Sequence, residues 1–369
     1  MARGVQSTSG RTRKTLSFYP GPSKVEPEVP RYVIEAHQKG ILSANHRSPA
    51  FESLYQEVCG LLQKRLRVPQ DYGILFTSSA TECWEIIAQS LVAEGAFHLY
   101  NGAFGAKWFE YSRRLHKGIS GQAFDVQEQA PVETLRLPKD TSLIALTHNE
   151  TRNGTQWSKR DLVAIRERFP EQLIAVDATS SMAGVRLPFE AADVWYASVQ
   201  KCFGLPAGLG VMLLSPAAME AARVKGEKQH YNSLTYLLYQ MENNQTGHTP
   251  NVLGIWLLAK VLKKRRGMKA TDRIVRRHRQ NWREFLKTLP HVKELVSDPT
   301  VASDTVITLE LDADLVTMLL QEAQSAGFVL GKGYGAWQAN TIRIANFPQH
   351  TQTDIQRLQE FLQAWFSQR

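Results

Sequence analysis

Short apolar runs that alternate with helical stretches are the feature that most constrains the fold of this chain. The runs with strand character cover 72–76, 97–100, 142–147, 173–177, 194–198 and 210–214. Amphipathic helical stretches, such as those over 82–95 and 159–169, lie between several of these runs. Apolar strands separated by helices are typical of a sheet that is covered on both faces. We therefore predict an α/β fold with a mostly parallel sheet.

The last third of the chain follows a different pattern. A helical stretch covers 251–286, and strand and helix signals then alternate at 306–311, 313–326, 341–345 and 353–366. A chain of 369 residues has the length of two domains. We predict a disordered basic tail over 1–15 and a large domain over 16–255, whose N-terminal segment is able to pack with the second domain. A long connecting helix and a smaller α+β domain are predicted over 256–369.

Composition excludes several classes of protein. No apolar run reaches about 18 residues, so we expect no membrane span. Three widely spaced cysteines predict neither disulfides nor a zinc site, and we predict a cytoplasmic protein without a metal ion. The net charge of +9 suits nucleic acid or an acidic substrate. The basic run over 260–279 lacks aromatic residues and carries apolar ones at helical spacing, so we interpret it as a solvated helix face and expect no nucleic-acid partner.

Lys201 is the first candidate for a chemical role. It follows an apolar strand and precedes a loop rich in glycine and proline. A lysine held at such a strand end can be desolvated and so lose its proton more easily. The neutral amine can then form a Schiff base with a carbonyl group. The alternative is an ordinary surface lysine.

Asp177 stands at the carboxyl end of another apolar strand, where α/β folds bind their ligands. It precedes Lys201 by 24 residues (201 − 177), which allows the two strands to be neighbours. A carboxylate there can keep the ring nitrogen of a pyridine cofactor protonated. The alternatives are a helix N-cap or a Mg²⁺ ligand.

The turn over 78–82 is the third candidate, because small residues there separate a strand from a helix. The free N–H groups and the dipole of a helix start favour an anion. The chain thus carries an anion cradle, a strand-end aspartate and a strand-end lysine in this order. This combination is typical of an enzyme that uses pyridoxal 5'-phosphate (PLP). We therefore predict PLP as the cofactor.

Four segments in the same order resemble the class V, fold-type I aminotransferases, and among them the phosphoserine enzymes most. They are FYPGPSKVEPEV over 18–29, His46-Arg47-Ser48, His148-Asn149-Glu150-Thr151 and QKCFGLPAGL over 200–209. The resemblance runs from about Phe18 to the C-terminus. It implies a PLP-dependent aminotransferase that acts on small amino acids and 2-oxo acids as a homodimer with shared active sites.

On the cofactor, the resemblance implies that Lys201 forms the Schiff base and moves the substrate proton. Asp177 would pair with the pyridine nitrogen, and Thr151 would hydrogen-bond the phenolic oxygen. Phe104 would stack on the ring, where the family has a tryptophan. Gln200 would bind the cofactor phosphate together with the backbone N–H groups of Ser79, Ala80 and Thr81.

The resemblance also implies residues that act across a dimer interface. His248 and Thr249 would reach the cofactor phosphate of the partner's site, although histidine replaces the family's asparagine. His46 and Arg47 would bind the substrate phosphate from the partner chain. Arg343, in TIRIANF, would bind the substrate α-carboxylate through a bidentate fork.

The function implied is amino transfer from phosphoserine to 2-oxoglutarate, giving 3-phosphohydroxypyruvate and glutamate for serine biosynthesis. Two segments depart from the family's phosphate-binding pattern: Ala80 stands where an arginine is usual, and GKGYGAWQAN over 331–340 replaces a Gly-His-Arg segment. One alternative is therefore transamination of another small amino acid, alanine or serine, with glyoxylate or pyruvate. Another is a catalytically silent PLP-fold binding protein. Cysteine desulfuration is rejected because no cysteine follows Cys202.

Overall fold

The computed structural model describes residues 15–289 and 292–369. The predicted basic tail therefore lies, apart from its last residue, outside the described residues. The strands are β1 (Leu16–Ser17), β2 (Gly73–Thr77), β3 (Gly95–Tyr100), β4 (Ile119–Ala123), β5 (Thr141–Thr147), β6 (Asn149–Glu150), β7 (Thr155–Gln156), β8 (Leu173–Asp177), β9 (Val194–Ser198), β10 (Gly210–Leu214), β11 (Lys293–Glu294), β12 (Val306–Glu310), β13 (Phe328–Val329), β14 (Gly331–Lys332) and β15 (Thr341–Ala345). The helices are α1 (Val29–Gln38), α2 (Pro49–Leu66), α3 (Ala80–Ser90), α4 (Ala103–Leu115), α5 (Lys159–Arg168), α6 (Pro216–Lys225), α7 (Leu234–Glu242), α8 (Val252–Lys264), α9 (Met268–Leu286), α10 (Ala313–Ser325) and α11 (Gln352–Phe366).

A seven-stranded sheet in the order β2-β10-β9-β8-β5-β3-β4 forms the larger part of the molecule. Neighbouring strands are parallel except where β10 pairs antiparallel with β2 and β9. One face packs on α1, α2, α5 and α8, and the other on α3, α4, α6 and α7. The prediction of a mostly parallel sheet covered on both faces is confirmed. The carboxyl ends of β2, β5, β8 and β9 meet at one edge, because parallel strands end on the same side.

A second, antiparallel sheet in the order β11-β12-β15-β14 packs its apolar side chains with α9, α10 and α11. The start of the described chain belongs to the same core. β1 pairs in parallel with β13, and Phe18 lies fully buried beside Trp282. The backbone N–H of Ala345 in β15 donates to the Phe18 carbonyl at 2.8 Å. Residues before α1 therefore hold the edge of this smaller sheet.

The helical region predicted over 251–286 is present as two helices, because the chain breaks between α8 and α9. Arg265 leaves the helical conformation at this break and its side chain turns inward. Its guanidinium donates to the carbonyls of Cys202 and Phe203 at 2.8 and 2.9 Å, and pairs with Glu26 at 2.8 Å. These tertiary contacts outweigh the local helical preference of the segment.

Acidic side chains of the same chain accompany the basic run over 260–279. Lys260, Lys263, Lys264, Arg265, Arg276 and Arg279 all lie within ion-pair distance of a carboxylate. The interpretation as a solvated face is correct for Lys263, Lys264 and Arg276, whose side chains are half exposed or more. Arg265 and Arg279 are instead buried. Within the described ranges, no helix is both long and apolar enough to cross a bilayer.

Candidate active site

Lys201 is buried three residues beyond β9, at the edge where the parallel strands end. Its Nζ donates hydrogen bonds to Thr151 Oγ1 at 2.7 Å and to Ser180 Oγ at 2.8 Å. Burial lowers the pKa of Lys201 to about 8, although the carboxylates of Asp177 and Glu150 act in the opposite direction. The site therefore holds an amine that loses its proton near neutral pH and can act as a nucleophile or a base.

The backbone around Lys201 is held from several sides. Gln349 Nε2 donates to the Lys201 carbonyl at 3.0 Å, and the Gly204 N–H donates to the same carbonyl at 2.9 Å. Gly21 approaches the side chain so closely that a Cβ there would lie 2.7 Å from Lys201 Cε. Its φ of +136° is a further reason why glycine occupies this position. The N-terminal segment thus closes over the stem of the lysine.

Asp177 ends β8, the strand next to β9 in the sheet. Its Oδ1 accepts the Thr179 N–H at 2.8 Å, and the whole side chain is buried. Burial raises the pKa of Asp177, against the hydrogen bonds from Thr179 and the charge of Lys201. The side chains of Trp84 and Tyr196 also contact this carboxylate, and the contact with Trp84 lowers its pKa.

The turn before α3 is only partly open to an anion. Ser79 caps the helix, its Oγ accepting the Glu82 N–H at 3.2 Å. The Ala80 N–H donates to Ser198 Oγ at 2.7 Å, which corrects the expectation that this amide is free for a phosphate. Of the three backbone amides predicted to bind the phosphate, those of Ser79 and Thr81 remain available for it.

Glu82 also bends back over this turn. Its Oε2 accepts the Ser78 N–H at 2.7 Å, and its Oε1 accepts the Tyr231 hydroxyl at 3.0 Å. Burial alone would raise the pKa of Glu82, but the hydrogen bonds from Ser78 and Tyr231 lower it overall. A carboxylate at the rim of an anion cradle is a feature that the sequence did not predict.

Gln200 precedes the lysine and fits a polar ligand. Its Oε1 is buried and has no hydrogen-bond partner among the described residues. Buried polar atoms are nearly always satisfied. A bound group that supplies the missing partner agrees with the predicted role of this side chain.

Glu150 positions the aromatic wall of the site, although it was missed as a site residue in the motif His148-Asn149-Glu150-Thr151. Its Oε2 accepts the N–H groups of Phe104 and Gly105, at 2.9 and 3.2 Å, at the start of α4. The ring centroid of Phe104 lies 5.2 Å from Lys201 Nζ. Burial raises the pKa of Glu150, against these backbone hydrogen bonds. The signal available in sequence was an acidic residue inside a motif of otherwise neutral polar groups.

Arg343 reaches the same place from the smaller sheet. Its neighbours Ile342 and Ile344 are buried in the core of that sheet, so Arg343 faces the lysine side. Its Nε and Nη2 donate to the Lys332 carbonyl at 3.0 and 2.8 Å, and its Nη1 donates to the Thr151 carbonyl at 3.2 Å. The Tyr19 side chain also contacts this guanidinium. A planar guanidinium of this kind can bind a carboxylate through two parallel hydrogen bonds.

Ser180, Arg152 and Tyr334 complete this group of residues and were not singled out from the sequence. Ser180 Oγ lies 2.5 Å from Thr151 Oγ1 and also accepts from Lys201. The guanidinium of Arg152 lies over the Tyr334 ring. In the sequence, Arg152 could have been suspected only because it follows Thr151, and Ser180 only because it lies shortly after the strand-end Asp177.

The residues predicted to act across an interface form a second group. Arg47 Nη1 donates to Gln240 Oε1 at 2.5 Å and to Gln245 Oε1. Burial and the charges of Arg47 and His248 lower the pKa of His46. Thr249 is exposed. In the described part of one chain, these side chains form no hydrogen bond with Lys201, Thr151, Asp177 or Arg343.

A metal centre is not part of the described structure, since no three His, Cys, Asp or Glu side chains within those ranges are grouped so that they could hold an ion. The alternative of Asp177 as a Mg²⁺ ligand therefore receives no support. A buried lysine beside a strand-end aspartate, at the edge of a doubly covered parallel sheet, defines a PLP-dependent enzyme of fold type I. The buried carboxylate of Asp177 and the buried, unpartnered Oε1 of Gln200 fit that cofactor.

The comparisons with known proteins identify the family. The model of the class V aminotransferases (Aminotransferase class-V) matches residues 18–358, so the chain belongs to that family and is a PLP-dependent aminotransferase. A phosphoserine aminotransferase of Corynebacterium glutamicum is 26% identical over 351 residues, which cover 92% of this chain and 91% of that protein.

Solved structures agree with this assignment. A phosphoserine aminotransferase from Cytophaga hutchinsonii superimposes with a TM-score of 0.91 at 30% identity, covering 95% of this chain and 98% of its own. An alanine–glyoxylate aminotransferase from Nostoc shares the fold, with a TM-score of 0.78 at 18% identity over 96% of each chain.

Proposed function

We propose that this chain transfers the amino group of phosphoserine to 2-oxoglutarate, giving 3-phosphohydroxypyruvate and glutamate for serine biosynthesis in the cytoplasm. The relatives at 26% and 30% identity, which cover nine-tenths of both partners in the comparison, carry the name of that activity. The single observation that carries an aminotransferase mechanism is the chain of contacts from Lys201 through Thr151 to Arg343.

The cofactor would be held by Lys201 covalently, by Asp177 at the ring nitrogen and by Thr151 at the phenolic oxygen. Gln200 and the free amides at the start of α3 would hold its phosphate, and Phe104 would cover one face of its ring. When bound, PLP withdraws electrons from the bond that breaks at the substrate Cα. The protein supplies position and proton transfer.

Lys201 would remove the proton from the substrate Cα and later return one to the cofactor side. Its lowered pKa of about 8 suits a group that must both accept and release a proton near neutral pH. The hydroxyls of Thr151 and Ser180, within 2.8 Å of Nζ, would keep the amine aimed at that atom. Arg343 would hold the α-carboxylate and so fix which Cα bond faces the lysine.

A homodimer would bring the second group of residues into use. The bonds from Arg47 to Gln240 and Gln245 place the segment before α2 next to α7. Exposed apolar side chains lie on or beside these two segments: Ile34, Leu42, Tyr231, Tyr236 and Tyr239. Exposed aromatic residues are enriched at protein interfaces. His46, Arg47, His248 and Thr249 would then contact the partner's site.

The test begins with the absorbance of the purified protein. A Lys–PLP Schiff base should absorb at about 410–430 nm. Borohydride reduction followed by peptide mass mapping should leave the modification on Lys201. Lys201→Ala should lose the band and all turnover, whereas Lys263→Ala, on the exposed side of α8, should keep both. Absence of the modification from Lys201 would contradict the proposal.

The second candidate is transamination of alanine or serine with glyoxylate or pyruvate. It is favoured by Ala80 at the position of a family arginine and by the bonding of Arg47 within its own chain. The loss of the absorbance band when each amino acid is added separately decides between the candidates. Phosphoserine should convert the cofactor at lower concentration than alanine or serine. A protein that keeps its band with every donor would be a silent binding protein.

A further inference from the structure

Arg152 is a buried cation without a protein partner. The residue is 5% exposed, and its Nε is buried without a hydrogen bond. Among the described residues, its guanidinium forms neither a hydrogen bond nor an ion pair within 4 Å. A buried charge is costly unless something compensates it. The charge of Glu150 acts on Arg152, but this carboxylate already accepts backbone N–H groups, so the position of Arg152 favours an additional anion as a ligand.

Aromatic rings and the backbone hold Arg152 in place. Its guanidinium lies over the Tyr334 ring and 5.7 Å from the centroid of Phe104, the ring whose centroid also lies 5.2 Å from Lys201 Nζ. The backbone N–H of Arg152 donates to Glu150 Oε1 at 3.1 Å. Cation–π contacts of this kind fix a guanidinium without neutralising its charge.

The acidic groups near Arg152 are already engaged. Glu150 accepts three backbone N–H groups, from Phe104, Gly105 and Arg152 itself. Asp177 accepts from Thr179 and belongs to the cofactor side. The charge of Arg343 acts on both Lys201 and Arg152, so the three cations lie near one another. Within the described residues, no carboxylate forms an ion pair with Arg343 or Arg152.

The cations divide the work on a bound amino acid. In the proposed function the substrate amine would approach the lysine side, and its α-carboxylate would bind Arg343, whose Nη1 donates to the Thr151 carbonyl. The Arg152 guanidinium lies 5.7 Å from the centroid of Phe104, the ring that borders Lys201, so a substrate held between Lys201 and Arg343 would have its side chain within reach of Arg152. We propose that Arg152 binds an anion at the end of the substrate side chain, so that the preferred donors carry a phosphate or a carboxylate there.

This assignment rests on the proposed function and deepens it. It also supplies a guanidinium, which the sequence lacks at Ala80 and in the loop over 331–340, where Lys332 keeps the charge but not the fork geometry. A guanidinium binds both phosphate and carboxylate through two parallel hydrogen bonds. Donors of both kinds are therefore needed in the test.

The experiment compares Arg152→Met and Arg152→Lys with the unmodified holoenzyme. Arg114→Met, on the exposed side of α4, serves as the matched control. The first half-reaction is measured with phosphoserine, glutamate, serine and alanine. Arg152→Met should lower kcat/KM for phosphoserine and glutamate by about 10- to 100-fold, mainly through KM, because a charge-assisted contact is lost. Serine and alanine should change less than about threefold, and Arg152→Lys should be intermediate.

A binding measurement tests the same contact without turnover. Maleate, a dicarboxylate without an amino group, and acetate are titrated against the cofactor absorbance. Arg152→Met should weaken maleate by about tenfold or more and leave acetate unchanged. If the methionine variant does not fold, the lysine variant and Arg152→Gln provide the same comparison.

The outcomes separate the two proposals. Equal losses for all four donors, or unchanged selectivity, would overturn the role of Arg152. Turnover of glutamate but not phosphoserine by the unmodified enzyme would contradict phosphoserine as donor, yet the selective loss on glutamate would support Arg152. An enzyme that prefers alanine and binds maleate no better than acetate would contradict both.

Discussion

The cofactor side and the substrate side of this site are built in different ways. Lys201, Asp177 and the turn before α3 all lie at the carboxyl edge of the seven-stranded sheet, where strand pairing fixes their spacing. Arg343 comes from the smaller sheet, and Arg152 comes from the turn after β6. A single sheet edge positions chemical groups through regular backbone hydrogen bonds, whereas the substrate side depends on packing between separate parts of the chain.

The two sides also differ in charge. Carboxylates accompany the lysine on the cofactor side, and burial raises the pKa of both Asp177 and Glu150. On the substrate side the side chains of Arg343 and Arg152 have no carboxylate within ion-pair distance among the described residues. With the proposed roles, the cofactor would contact a balanced set of charges and the substrate an excess of positive ones. Changes on the first side should affect all donors equally, and changes on the second should act through binding.

The largest effect short of removing the lysine is expected for Asp177→Asn. Loss of the charge at the ring nitrogen should lower kcat for every donor by roughly 10²- to 10³-fold, and should shift the cofactor absorbance. Asp193→Asn is the control, because Asp193 is also buried but binds Arg166 and Ser215 at the opposite edge of the sheet. The Asp193→Asn variant should have a lower Tm and an unchanged cofactor absorbance. A donor-selective loss in Asp177→Asn would contradict the cofactor role.

Arg343→Met should raise KM by about 10- to 100-fold for every amino acid donor, because all donors carry the same α-carboxylate. Steady-state kinetics with phosphoserine, alanine and serine measure this. Arg343→Lys keeps the charge but loses the fork, and should recover part of the binding. If only one donor were affected, Arg343 would belong to side-chain recognition instead.

The pH dependence of cofactor capture should report Lys201 itself. After removal of the cofactor, only the neutral amine attacks the PLP aldehyde, so the capture rate should rise with pH and level off above the pKa of about 8. Between pH 6 and pH 8 the neutral fraction rises about 50-fold for such a pKa. Stopped-flow absorbance measures the rate. A rise that continues towards pH 10 would mean that the lysine is not desolvated as described.

The smallest effect is expected for Arg47→Ala. Arg47 is exposed and binds Gln240 and Gln245, so its loss should raise KM for phosphoserine by less than about tenfold and leave alanine unchanged. Lys64→Ala, at the other end of α2, is the control. An equal loss for alanine would show that Arg47 supports the structure of this segment only.

Sequence reasoning predicted the strands that carry the proposed cofactor residues better than the contacts between distant segments, for a physical reason. The strands over 173–177, 194–198 and 210–214 were predicted with the bounds that the structure has, because apolar runs with polar ends mark buried strands. The residues that follow such strands meet at one edge by topology alone.

The remaining features depend on contacts between distant segments. The Arg152 guanidinium lies over the ring of Tyr334, a residue that follows 182 positions later in the sequence (334 − 152). The expected free amide at Ala80 is taken by Ser198, on a different strand. Gly267 marks the break between α8 and α9 in the sequence, but the hydrogen bonds of Arg265 to distant carbonyls are not contained in any local pattern. Periodicity reports burial along one segment and carries no information about such partners.

Arg265 also limits how this chain can be recombined with its relatives. The residue at the junction of α8 and α9 bonds the carbonyls of Ala183, Cys202 and Phe203, all in or near the segments that flank the lysine. A chimera that takes everything after α8 from another enzyme keeps those carbonyls satisfied only if the donor sequence brings an equivalent cation. The crossover point, rather than the number of exchanged residues, therefore decides whether such a hybrid retains an ordered lysine.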